Sequence, residues 1–362
     1  MNVSPTMSDA HGSRKPINLA LQGGGSHGAL TWGVLDRLLE DGRLDIHRIS
    51  GTSAGAMNAV ALASGFSAGG REGARESLAQ FWRKVSDSAR YSPLRRSLWD
   101  RLWGRYSLDH SPGYLWMETM SRVFSPYDLN PLNINPLKDL LEEHVDFDAV
   151  NNCGVKVHVT ATNVRTGQPR IFGPGEISID AVLASACLPQ MYPAVEIDGE
   201  AYWDGGYAGN PALYPLVASS TPDILVVQIN PVIRKDLPRS ARDIMNRVNE
   251  ISFNSSLIKE LRSIATLQRL NKDGQIDLSG SQHAQVFLHL IHTDLEVRDL
   301  SASSKLNAEW AYLQLLFQEG RAWASDWLGR NFDQVGVAST IDLAELVGDP
   351  AKGTTRPPRA PD

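Results

Sequence analysis

Three stretches of this chain carry residues that could do chemistry together. The first, Gly51-Thr52-Ser53-Ala54-Gly55, sets a serine between two glycines. On a sharp strand-to-helix turn such a serine has a strained backbone and an exposed hydroxyl, and the glycines remove side chains that would strike neighbouring elements. The amino end of the next helix adds free N–H groups and a dipole that favour developing negative charge. The second stretch is Gly23-Gly24-Gly25-Ser26-His27-Gly28, a glycine-rich turn whose backbone N–H groups face whatever binds there. If both turns leave a parallel sheet at one edge, one supplies a nucleophile and the other the oxyanion donors of an acyl-transfer site. The third is Tyr202-Trp203-Asp204-Gly205-Gly206, where a carboxylate ends a strand and two glycines let the chain turn away, leaving Asp204 as the candidate base.

These residues need elements to hold them. Ile17 to Leu21 reads as a strand, and Leu30, Val34, Leu35, Leu38 and Leu39 repeat at helical spacing after the glycine loop. A short apolar segment, Ile46 to Ile49, leads into the serine turn, and the alanine-rich run from Ala54 to Ala63 favours a helix. Val195 to Ala201 reads as a hairpin turning at Asp198-Gly199, with Asp204 closing its second strand. Val155 to Ala161 alternates as a strand, Ile224 to Ile229 reads as a buried parallel strand, and Val286 to Ile291 as another. Strand and helix signals alternate throughout, which predicts an α/β fold with helices on both faces of a mostly parallel sheet.

With all three motifs in order, the chain resembles the patatin-like phospholipases from about Ile17 to Leu216. Ala184-Ser185-Ala186-Cys187-Leu188-Pro189 ahead of the aspartate and Asn210-Pro211 after it belong to the likeness. The resemblance implies a three-layer α/β/α sandwich and a lipid acyl hydrolase with a Ser-Asp dyad. Ser53 is then the nucleophile and Asp204 its proton acceptor, while residues Gly23 to Gly28 form the oxyanion loop. Gly24, Gly25 and Ala54 are the expected N–H donors. Gly51, Thr52, Ala54, Gly55, Gly205 and Gly206 complete the motifs. The substrate is a lipid or other acyl ester, and no cofactor or metal is implied. His27 stands where that family usually carries Arg or Lys, and a neutral imidazole gives the oxyanion less positive field.

The expected organisation is a flexible lead over 1–16, a catalytic core over 17–217 with a lid-like insertion at about 88–135, strands and helices packed on the core over 218–345, and a disordered tail over 346–362. Within the insertion, Tyr91, Leu94, Leu98, Trp99, Leu102, Trp103 and Tyr106 recur at helical spacing, flanked by Arg95, Arg96, Arg101 and Arg105. That pattern predicts a basic amphipathic helix, either a peripheral membrane contact or a stripe packed on the core.

The net charge of −6 gives no global support for nucleic-acid binding, and two cysteines, Cys153 and Cys187, exclude a disulfide framework or four-cysteine zinc site. No apolar leader opens the chain, and no apolar run approaches the roughly 18 to 20 residues a bilayer crossing needs. The expected location is cytoplasmic. Oligomeric state is not legible.

Rival readings remain. Gly23, Gly25 and Gly28 satisfy a dinucleotide fingerprint, but the second strand lacks a closing acidic residue. An ordinary Ser-His-Asp hydrolase would recruit His283, His289 or His292. A catalytically silent lipid-binding scaffold would keep the fold without turnover.

Overall fold

A computed structural model describes residues 14–97, 99–100, 103–234, 237–278, 286–292, 301 and 303–341. Among the described residues eight strands form one sheet: β1 (Lys15–Leu21), β2 (Leu44–Thr52), β3 (Lys156–Asn163), β4 (Pro169–Phe172), β5 (Val195–Ile197), β6 (Glu200–Asp204), β7 (Asp223–Gln228) and β8 (Phe287–His292). The order is β5-β6-β3-β2-β1-β7-β8, with β4 also pairing β3. Pairings from β3 through β2, β1 and β7 to β8 are parallel, while β4, β5 and β6 add antiparallel contacts at the other side.

Alternation along the central strands decides what covers each face. Leu19, Leu21, Leu225, Val227 and Ile291 meet α1 (Gly28–Asp41), α2 (Ala54–Ser88) and the Trp310–Asn331 helix in one apolar cluster. Ala20, Ile224, Val226, Leu288 and Leu290 meet Leu257, Leu261 and Ile264 of the Ala241–Lys272 helix in a second. Two cores separated by a sheet make the expected three-layer α/β/α arrangement.

The Trp310–Asn331 helix and α1 touch backbone to backbone. A methyl at Gly33 would fall 2.0 Å from the Phe317 carbonyl oxygen, and one at Gly320 the same distance from that of Leu30. Only glycine fits at either point, and Trp32 fills the space beside them by packing its ring 4.0 Å from that of Phe317.

Some sequence expectations need correction. Lys15 and Pro16 belong to β1 rather than to a flexible lead, because the Lys15 ammonium donates to the carbonyls of Phe332, Asp333 and Val335. Residues 1–13 and the 346–362 tail lie outside the described residues. The helix expected from Tyr91 to Tyr106 is not continuous: Ser92 is extended and residues 92–97 are irregular, while Leu98, Arg101 and Leu102 lie outside the described residues. Pro93 packs its carbonyl on Gly113, and the Arg96 guanidinium is drawn into a pair with Glu309 at 2.7 Å and stacks on Tyr106. Those tertiary contacts override the helical spacing. Tyr106 stacks on Tyr312, whereas Trp99 and Trp103 are 71% and 73% exposed. No helix among the described residues is long and apolar enough to cross a membrane.

Candidate active site

Register assembles the site. β1 and β2 are parallel with Leu21 opposite Gly51, so the glycine loop and the serine turn leave the sheet at the same edge. β2 pairs Thr52 with Thr160 of β3, and antiparallel β6 pairs Asp204 with Ala161. All three motifs therefore end within a residue of one level.

Ser53 sits on the turn between β2 and α2 with φ 53° and ψ −121°, a conformation that side chains rarely adopt. Crowding holds it there. A methyl at Gly51 would fall 2.6 Å from the Gly55 carbonyl, one at Gly55 2.2 Å from the Leu21 oxygen, and one at Gly23 2.8 Å from Ser53 Cβ. The Ser53 N–H donates to Ser185 Oγ at 2.8 Å, and Thr52 Oγ1 donates to the Gly209 carbonyl at 2.7 Å. The Ser53 side chain is one of the groups that lower the Asp204 carboxyl against its burial.

Asp204 is 1% exposed. Burial pushes its carboxyl up to about 6, opposed by the hydrogen bond from the Gly206 N–H (2.7 Å), then by the Ser53 side chain and the charge of Lys305. Thr162 Oγ1 donates to the Asp204 carbonyl, and the Asp204 N–H donates to Cys187, both at 2.8 Å, so the strand end is fixed on both sides. Gly205 is required by close approach, since a methyl there would lie 2.1 Å from the Thr160 oxygen.

The glycine loop divides its N–H groups between architecture and the site. Gly23 donates to Asn210 Oδ1 at 2.7 Å, His27 to the Gly24 carbonyl, and Gly28 to the carbonyls of Gly25 and Ser26. Gly23, His27 and Gly28 thus spend their donors inside the fold. The N–H groups of Gly24, Gly25 and Ser26 have no hydrogen-bond acceptor among the described residues. His27 itself is buried, and its Nε2 lies 2.8 Å from Ser304 Oγ. Burial first, then the charges of Lys305 and Arg234, hold this imidazole well below its ordinary value. It is neutral at physiological pH.

Sequence reasoning overlooked the groups that hold these loops. Asn210 fixes Gly23, and Ser185 fixes Ser53. Gln22 Oε1 accepts from the N–H groups of Ile229 and Asn230, and Asn230 Nδ2 donates to the Gly23 carbonyl at 2.7 Å. Asn210 and Ser185 belong to the motifs that flank Asp204; Asn230 and Lys305 carry no sequence signal. His289, weighed as a triad base, bonds Asp223 at 2.9 Å and Thr340 at 3.0 Å. Asp223 opens β7, and this places the ring toward the opposite edge of the sheet. His292 closes β8 and is exposed, and His283 lies outside the described residues.

A family model described as "Patatin-like phospholipase" matches residues 19–217. Among solved structures the chain is similar to VipD from Legionella pneumophila, with 15% identity and a TM-score of 0.34, covering 84% of this chain and 67% of that one. It is also similar to full-length ExoU, solved with SpcU from the type III secretion system of Pseudomonas aeruginosa, with 14% identity and a TM-score of 0.28. That match covers 86% of this chain and 53% of ExoU. No curated protein matches.

Proposed function

The chain belongs to the patatin-like phospholipase family, and from that premise we propose that it hydrolyses the acyl ester of a lipid with Ser53 as nucleophile and Asp204 as base. The observation that carries this reading is the strand register, which brings the serine turn, the glycine loop and the buried Asp204 to one edge of the sheet. Asp204, ionised above about pH 6, takes the Ser53 proton as Oγ attacks the ester carbonyl. The tetrahedral oxyanion is met by the N–H groups of Gly24 and Gly25, with that of Ala54 at the head of α2 as a third donor. The leaving alcohol departs with the proton. Water then attacks the acyl-Ser53 ester with Asp204 again as base.

A fluorophosphonate that traps activated serines should form an adduct on Ser53, mapped by peptide mass spectrometry, in the wild type and equally in His289→Gln. Loss of the adduct in His289→Gln would instead favour a histidine relay. Unlabelled Ser53 in both proteins would remove the serine mechanism.

A lipid substrate needs a way to the site, and Trp99 and Trp103 are the exposed aromatics of the expected interfacial segment. Aromatic side chains of this kind favour the membrane interface. The Trp99→Ala, Trp103→Ala double variant should co-sediment with anionic phospholipid vesicles several-fold less than the wild type. Equal sedimentation would assign both rings another role.

A further inference from the structure

The short helical turn Ser303–Leu306 lies across the glycine loop, outside the segment that the family model matches. Contact is close: a methyl at Gly25 would fall 2.4 Å from the Lys305 carbonyl oxygen. The Lys305 side chain is only partly exposed, and its Nζ donates to Asn230 Oδ1 at 2.7 Å. Asn230 in turn donates to the Gly23 carbonyl, and Gly23 abuts Ser53. On its other side the ammonium lies 5.3 Å from the Phe253 ring centre, within cation–π reach. That ring presses on Gly206, where a methyl would fall 2.3 Å from it, two residues after Asp204. One ammonium therefore touches the supports of both the oxyanion loop and the base.

We infer that Lys305 is the cationic positioning residue of this site: its ammonium, held by Asn230 and Phe253, fixes the Gly23 to Gly25 loop and sets one positive charge against the supports of Asp204. The inference rests on the Ser53 and Asp204 reading above.

The charges around it support the assignment. His27, the basic residue of the glycine loop, is neutral. Arg234 is paired with Glu250 at 2.6 Å, and Arg247 with the same carboxylate at 3.1 Å. Burial pulls the Lys305 ammonium down to about 8, Glu250 and Asp204 pull it back up, and Arg234 opposes them. Reciprocally, Lys305 lowers the Asp204 carboxyl, which burial alone would raise further. Asp204 also faces Cys187 and Tyr207, and burial and the carboxylate together push both of these above their ordinary values. They remain neutral through the working range.

The test is the pH dependence of kcat/KM on a short-chain chromogenic ester for the full chain, with Lys305→Gln and Lys305→Arg beside it. Gln keeps a donor to Asn230 without charge. The wild type should show a bell with limbs near 6 and near 8. In Lys305→Gln the acid limb should move up by half a unit or more, the basic limb near 8 should vanish, and kcat at pH 6.5 should fall at least tenfold. Lys305→Arg should restore the acid limb and carry the basic limb out of range. Unmoved limbs in Lys305→Gln, whatever its rate, would overturn the inference and leave a structural strut. If Lys305→Gln does not fold, Lys305→Met carries the same measurement. Ser53→Ala is assayed in parallel: full activity there would overturn the inference together with the serine chemistry beneath it, while a dead Ser53→Ala with unmoved Lys305→Gln limbs overturns the inference alone.

Discussion

Asp204→Asn should destroy ester hydrolysis, by ~10³-fold or more, while making the protein more stable at pH 8. The carboxyl is almost fully enclosed, and its value rises from 3.8 in the unfolded chain to about 6 in the fold. The folded state therefore prefers the protonated acid. Stability from this group is fully present below about pH 4 and is lost as pH rises through about 6, where the native protein must hold a buried anion. A difference of about two units corresponds to about 3 kcal/mol. Asparagine keeps an acceptor for the Gly206 N–H and carries no charge, so it recovers up to that amount at pH 8 and little at pH 4. Denaturant unfolding of both proteins at the two pH values checks this. An Asn variant less stable than the wild type at pH 8 would show that the carboxylate is held by partners strong enough to outweigh its burial.

Ser53→Ala should lower turnover by at least ~10³-fold with the unfolding midpoint nearly unchanged, because alanine inherits both the strained backbone and its surroundings. Ser53→Gly should be equally inactive yet more stable. At φ 53° the serine stores strain of order 1–3 kcal/mol that glycine does not feel. Thermal unfolding that ranks Gly above Ala supports a turn strained to expose the hydroxyl. The opposite ranking would mean that Ser53 rests comfortably, and the geometric reason for the glycines around it would fall. Residual activity of either variant near the wild-type rate would remove Ser53 from the chemistry.

Much of this was legible before coordinates because turns with demanding backbones advertise themselves. Asp198 and Gly199 both adopt positive φ, at 52° and 78°, as an Asp-Gly hairpin turn requires. The α2 helix likewise loses its helical angles at Gly69 and Gly70, where two adjacent glycines stand in the sequence. The buried strands announced themselves as short apolar runs. Polar scaffolding did not. Ser185 reaches Ser53 across 132 residues, Asn210 reaches Gly23 across 187, and Lys305 reaches Asn230 across 75. A single hydrogen bond over such a separation leaves no period and no local composition. The Tyr91 to Tyr106 stretch fails in the opposite direction: its aromatic spacing is regular, but Arg96 gains more from Glu309 and Tyr106 than the helix would give it.

The glycine seam between α1 and the Trp310–Asn331 helix bears on more than packing. Lys305 lies a few residues ahead of that helix, and α1 continues directly from the loop ending at Gly28. Ammonium and glycine loop are therefore moored to opposite banks of one joint, and the joint admits no play because two main chains already touch. A sliding helix pair would let charge and loop drift apart; this one indexes them to each other, so the far end of the polypeptide acts as the gauge that sets the spacing at its beginning.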